Sequence, residues 1–169
     1  MLNSKKIEDK YKFNRKSSIY EIIVRSSNVG SARLALMIGE KGLKEIYSTL
    51  GLLEPVGLEL REAYLTQPIV PKDWRKITLA TVSYGYGISV SLLHLAKAYA
   101  ILGNGGFSIE PTILKKKQDA QIGSRVLKKR TSDEILKLLE AVVTDQRGTA
   151  KILSSEHYRI GGKTGTAEK

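Results

Sequence analysis

Over residues 89–102 apolar side chains occupy nearly every side of a helical wheel: Leu92, Leu93, Leu95, Ala96, Ala98, Tyr99 and Leu102. A helix apolar all round has to be surrounded rather than laid on a surface. Glycines at 103, 105 and 106 around Asn104 then stop it. The run is shorter than the roughly 20 residues a membrane span needs, and no longer apolar run occurs. The expectation is a central, buried helix in a globular fold.

The other periodic stretches are also helical. Ser17 and Ser18 are placed to cap a short helix over 19–25, with Glu21 in its first turn. Residues 26–28 read as a break. A second stretch over 29–38 takes Leu34, Leu36, Met37 and Ile38 as its apolar face and ends at Gly39. A third covers 41–50 and ends at Gly51. From 51 to 77, with Pro55, Pro68 and Pro71, the chain reads as a surface excursion carrying Trp74, and 78–87 as a small, glycine-rich segment. Short extended segments are expected over 107–114 and 125–129. Thr131 and Glu134 have capping-box spacing at the head of a helix to about Thr144, with Ile135, Leu138, Leu139 and Val142 on one face. One further turn falls near Ile152 and Leu153. Residues 159–169 read as a glycine- and threonine-rich strand with no strand partner nearby in sequence. A lone strand cannot satisfy its backbone groups, so its companions are expected outside these residues.

Composition narrows the chemistry. With no cysteine, disulfides, thiolate metal sites and cysteine catalysis are excluded. His94 and His157 show no ligand spacing, so no metal or organic cofactor is expected; His94 reads as a core or helix-end residue and His157 as exposed. The net charge of +11 favours anionic partners. The basic clusters at 115–117 and 128–130 lack interleaved aromatics, so they read as solvated surface and no nucleic-acid partner is expected. Trp74 and the tyrosines read as packing residues. Residues 1–16 form a polar, basic lead-in without the apolar stretch of a signal peptide, so the chain as written is expected to carry no address of its own.

Two short motifs carry chemistry. Lys163-Thr164-Gly165-Thr166 combines a charge, two hydroxyls and a glycine that lets a ligand backbone lie close, a set suited to a carboxylate. The glycine spacing of a phosphate loop is missing. In Ser26-Ser27-Asn28 a hydroxyl and an amide two positions apart can face a cleft from a turn. Alone, the first is also an ordinary turn or edge strand, and the second an ordinary helix cap.

Together, in this order, and with RSSNVGSARLA, SYGYGISVSLLHLAKAYAILGNGG and GGKTGTAEK around them, they resemble class B penicillin-binding proteins, most closely the cell-division type. The resemblance covers about residues 17–169, read as a partial transpeptidase domain after the lead-in. It implies an α+β fold: the mostly helical part of the penicillin-binding and serine beta-lactamase-like transpeptidase fold, with a C-terminal edge strand and most of the sheet missing. It implies acyl transfer between peptidoglycan stem peptides ending in D-Ala–D-Ala, acylation by beta-lactams, possible division-protein partners, and a place on the periplasmic face of the inner membrane. Carried over residue by residue, Ser26 joins the proton-moving hydrogen-bond network and Asn28 holds the substrate amide. Lys163 tunes the cleft electrostatics, Thr164 binds the terminal carboxylate, Gly165 keeps the strand open, and the Thr166 N–H forms half of the oxyanion hole. Residues 145–150 resemble the loop ahead of the Lys-Thr-Gly strand, with a positioning role. No serine in the sequence has a lysine three positions later. The nucleophile is therefore expected outside this chain, and the chain alone is expected to be inactive. The alternative is a non-catalytic remnant or interaction module for cell-wall or division partners.

Overall fold

The computed structural model describes residues 6–13, 15–65, 67–115 and 123–165. The helices are α1 (Ile19–Val24), α2 (Asn28–Thr49), α3 (Arg61–Leu65), α4 (Lys76–Val82), α5 (Leu92–Gly103) and α6 (Lys129–Thr144), followed by a 3-10 turn, Lys151–Leu153. Among the described residues, β-pairing is limited to two isolated antiparallel bridges, Ile69–Ser89 and Phe107–Arg125. No helix among them is long and apolar enough to cross a membrane.

The capping signals at the start of α1 hold. Glu21 N–H donates to Ser18 Oγ at 3.2 Å, and Ser18 N–H donates back to Glu21 Oε2 at 3.2 Å. This satisfies two donors that the helix would otherwise leave unpaired. The stretches expected over 29–38 and 41–50 are the two arms of α2, which kinks at Gly39 (φ +77°). Their expected apolar face is corrected: Leu36, Met37 and Ile38 are exposed, while Ala32, Ala35 and Leu43 are buried. The covered side of α2 is the side of small residues, which lets it lie close against α4.

That α2–α4 contact holds the first core, built of Ala35, Leu43, Trp74, Leu79 and Val82, with Tyr47 and Ile88 packed against it. Trp74 is thus not on a surface excursion. It is buried edge-on to Tyr47, ring centroids 6.3 Å apart, with the Lys44 ammonium 5.2 Å from its ring centre. The 78–87 segment likewise contains helix, because Leu79, Ala80 and Val82 give α4 a buried face. The glycine-rich turn begins only after it, with Gly85 and Gly87 at positive φ.

α5 starts at Leu92, capped by Ser91, rather than at 89. It is not surrounded. His94, Ala98 and Ile101 are buried, whereas Leu92, Leu95 and Tyr99 are exposed, because among the described residues the helix packed against it is α6. His94 is the core residue expected. Its Nε2 donates to the Glu54 carbonyl at 2.8 Å, which leaves Nδ1 as acceptor for the Ser91 hydroxyl at 2.7 Å. α6 begins at Lys129, two residues before the expected Thr131 cap, and has no side-chain cap. Its Ser132 is instead fully buried and donates to the Leu102 carbonyl at the end of α5.

A second core places the site. Val142, Val143 and Ala150 are buried, with Ile23 of α1 and Ile160 packed against them. The segment expected as a strand over 159–169 is described through Gly165 and has no β-ladder there. It is held on α6 instead, by Gly162 N–H to the Leu139 carbonyl at 3.1 Å and by Arg159 on Glu140 at 2.6 and 3.0 Å. Gly161 allows this approach, since a Cβ there would lie 3.1 Å from the Glu140 nitrogen.

Gly106 and Gly39 both have positive φ but differ in surroundings. A Cβ on Gly106 (φ +90°) would overlap the Leu127 carbonyl oxygen, whereas one on Gly39 would meet nothing within 4 Å. Gly106→Ala is expected to cost at least ~2 kcal/mol and Gly39→Ala about 1 kcal/mol, read from chemical denaturation midpoints.

Candidate active site

The turn between α1 and α2 carries the first motif. Ser27 N–H donates to the Ile22 carbonyl at 2.9 Å and Ser26 N–H to the Ile23 carbonyl at 3.2 Å. These are the two bonds of a helix-ending motif whose central residue must be left-handed, a place usually given to glycine. Here that residue is Ser26, with φ +55°. A side chain is held in a conformation that glycine adopts more cheaply, and its hydroxyl thereby reaches the cleft.

Ser27 and Asn28 divide the remaining tasks. Ser27 is buried and is the cap of α2: its Oγ accepts from Gly30 N–H at 2.8 Å and donates to Asp9 Oδ2 at 2.7 Å. Asp9 also accepts from Val29 N–H at 3.0 Å. A carboxylate at this helix start is favoured by the exposed N–H groups and the helix dipole. With the cap supplied by Ser27, the Asn28 carboxamide makes no hydrogen bond among the described residues. It lines the same open cleft as Ser26, Thr81, Tyr84, Lys163, Thr164 and Gly165.

Lys163 spans that cleft. Its Nζ donates to Ser26 Oγ at 2.6 Å, to the Thr164 carbonyl at 2.9 Å and to Thr164 Oγ1 at 3.3 Å. It makes no ion pair among the described residues, and burial pushes its pKa below the ordinary lysine value. Gly165 has nothing within 4 Å of where a Cβ would stand, so this face of the segment is open. A partly desolvated ammonium with no acidic partner among the described residues, beside two hydroxyls and an open carboxamide, is equipped to take a carboxylate and an adjoining amide. Ser26, Asn28, Lys163, Thr164 and Gly165 are thus brought together; Thr166 lies outside the described residues.

Four further residues, Thr149, Asp145, Arg147 and Tyr20, support the cleft. Thr149 Oγ1 lies 2.8 Å from Thr164 Oγ1. Asp145 holds its turn through Arg147 and Tyr20, and the Arg147 side chain and backbone N–H keep the Asp145 carboxyl well below the usual range. The resemblance gives residues 145–150 a positioning role as a whole, and nothing in the sequence singles out Thr149 within them. Asp9 had no signal beyond being an acid in a basic lead-in.

The Transpeptidase family model, described as the penicillin binding protein transpeptidase domain, matches residues 2–169. A probable peptidoglycan D,D-transpeptidase FtsI from Caulobacter vibrioides is 38% identical over 154 residues, covering 90% of this chain and 26% of that protein. The peptidoglycan D,D-transpeptidase FtsI of Escherichia coli K12 is 32% identical over 171 residues, covering 99% of this chain and 28% of its own length. Among solved structures, the apo TP domain of Burkholderia pseudomallei penicillin-binding protein 3 superposes with a TM-score of 0.85 at 36% identity, over 95% of this chain and 48% of that one. The chain therefore spans about a quarter of the length of these curated relatives.

The strain at Ser26 is measurable. Ser26→Gly and Ser26→Ala both remove the hydroxyl, but only alanine keeps a Cβ at positive φ. The glycine variant is expected to be the more stable of the two by ~1 kcal/mol in denaturant titrations. Lys163 gives a pH signature. Its folded pKa lies below its unfolded one, so the unfolded chain binds the proton more tightly in the interval between them. Stability carried by Lys163 therefore rises with pH through the alkaline range below the ordinary lysine pKa. The stability difference between wild type and Lys163→Met is expected to move in the wild type's favour there, as read from unfolding midpoints at stepped pH.

Proposed function

As the chain belongs to the penicillin-binding protein transpeptidase domain family, and within it to class B, we propose that it forms the Ser-x-Asn and Lys-Thr-Gly side of a peptidoglycan D,D-transpeptidase cleft. The observation that carries this reading is the Lys163–Ser26 bond of 2.6 Å, which joins the two motifs across 137 positions. It leaves the ammonium without an acidic partner among the described residues.

In this reading the C-terminal carboxylate of a D-Ala–D-Ala stem peptide lies against Thr164 Oγ1, with Lys163 supplying the charge. The Asn28 carboxamide holds the substrate's backbone amide. Together these fix the penultimate D-Ala carbonyl in the cleft, and such orientation is where much of the barrier to acyl transfer is removed. A serine from a Ser-x-x-Lys segment attacks that carbonyl carbon; its proton goes to that segment's lysine and on through the Ser26 hydroxyl to the nitrogen of the terminal D-alanine, whose bond to the carbonyl carbon breaks. An amine of a neighbouring stem peptide then resolves the ester. The Thr166 N–H is assigned half of the oxyanion hole. The sheet of the α+β fold, the nucleophile segment, a place on the periplasmic face of the inner membrane and contacts with division proteins belong to the same reading.

Since no Ser-x-x-Lys occurs in these residues, the 169-residue polypeptide is expected to show no mass increment after incubation with benzylpenicillin. A stable adduct by intact-protein mass spectrometry refutes that part. D-alanyl-D-alanine is expected to shift the Thr164 and Lys163 NMR signals, and Thr164→Val to weaken its binding about tenfold, the loss of one hydrogen bond to a charged group.

A further inference from the structure

A charged cluster outside the motifs ties the two walls of the cleft together. Tyr20, on α1, donates its hydroxyl to Asp145 Oδ2 at 2.9 Å. Asp145 Oδ1 accepts from the Arg147 backbone N–H at 2.7 Å, and both of its oxygens accept from the Arg147 guanidinium at 3.2 Å. The remaining guanidinium nitrogen, Nη1, reaches Glu21 Oε1 at 3.4 Å. Glu21 is buried and already fixed by Ser18 and by Arg15 at 2.6 Å. The 145–150 turn is thus fastened to two consecutive residues of α1, the helix whose C-terminal turn leads into Ser26.

The other side of the turn is fastened to α6. Ala150 N–H donates to the Val142 carbonyl at 3.1 Å. Gly148 has no room for a side chain, because a Cβ would overlap that same carbonyl oxygen. Between these two anchors stands Thr149, whose hydroxyl meets Thr164 Oγ1 at 2.8 Å. Thr164 Oγ1 also accepts from Lys163 Nζ at 3.3 Å. A hydroxyl has two acceptor sites and one proton. Either hydroxyl can donate in the Thr149–Thr164 bond; with Lys163 on one acceptor site, donation from Thr149 to the other leaves the Thr164 proton for the cleft.

We propose that Arg147 and Tyr20 are positioning residues that clasp the 145–150 turn to α1, so that the Thr149 hydroxyl donates to Thr164 and turns the Thr164 proton toward a ligand carboxylate. The geometry of the clasp stands by itself; its use for a carboxylate rests on the transpeptidase reading above.

The test uses the whole chain and two readouts. One is the Thr164 side-chain rotamer in the absence of ligand, from three-bond couplings in threonine-labelled NMR samples. The other is D-alanyl-D-alanine affinity by NMR titration. Arg147→Ala and Thr149→Val are expected to average the Thr164 rotamer and weaken the dipeptide about tenfold, the loss of one oriented hydrogen bond. Thr149→Ser, which keeps the hydroxyl, restores both. Tyr20→Phe removes a single hydroxyl from an exposed ring and serves as the mild variant should Arg147→Ala unfold, with the same rotamer change expected in smaller degree. A Thr164 rotamer that stays fixed in folded Arg147→Ala or Tyr20→Phe and in Thr149→Val overturns the clasp. A rotamer that responds to these variants in a chain that binds no dipeptide upholds the clasp and removes the carboxylate-site reading instead.

Discussion

Val142 and Val143 lie at the end of α6 under groups from three separate parts of the chain: Ile23 of α1, Ala150 of the following turn, and Ile160 of the last described segment. Apolar burial has no direction of its own. What it supplies here is a common floor, with Ile23 three residues before Ser26 and Ile160 three residues before Lys163. Once those two isoleucines are seated, the motif residues have little choice but to meet at the rim. The backbone bond from Gly162 to Leu139 and the close approach allowed by Gly161 set the height of the second segment above the helix. A substitution that lifts either isoleucine therefore moves a cleft wall without touching a polar residue.

The polar rim is costly by comparison. Lys163 is partly desolvated, and only neutral oxygens receive its protons among the described residues. A carboxylate partner would lower that cost and would also occupy the cation. Ser26 adds strain at positive φ where glycine would be relaxed. Both features lower stability and both favour an incoming anion with an adjacent amide, which is the trade expected of a binding site rather than of a structural ion pair. The contrast with Glu21 is instructive. That carboxylate is also buried, but donors from Ser18 and Arg15 hold its pKa down, and with Arg147 beside them they leave it nothing to offer a ligand.

Much of this was legible in the sequence, for identifiable reasons. Local signals survived: the Ser18–Glu21 box, the breaks at Gly39 and Gly51, and the glycine stop after α5 are decided by backbone conformation and near neighbours. Signals that depend on distant partners did not. The buried face of α2 is its alanine side, because only there can α4 come close, and apolarity alone pointed to Leu36, Met37 and Ile38 instead. Trp74 sits among prolines and charges, which hid its contact with Tyr47. The Thr131–Glu134 box had the right spacing, yet the helix starts earlier and Ser132 turns inward to Leu102. At the site, Ser26, Asn28, Lys163, Thr164 and Gly165 could be listed from two motifs. Asp9 and Thr149 could not, since each matters only through a contact made across the fold.

The Ser-Ser-Asn turn shows how one short stretch meets a structural and a chemical demand together. A helix start needs an acceptor for its first free N–H groups, and either serine or asparagine could provide it. Had Asn28 capped α2, its carboxamide would have turned toward the backbone and away from the cleft. Because Ser27 takes the cap, helped by Asp9, the residues on either side of it are released. Ser26, left-handed at the end of one helix, and Asn28, at the start of the next, then line the same cleft. Capping and ligand presentation are thus separated by a single residue. The Asp9 contact, made from a segment that reads as a polar lead-in, belongs to the support of the site as much as the motif does.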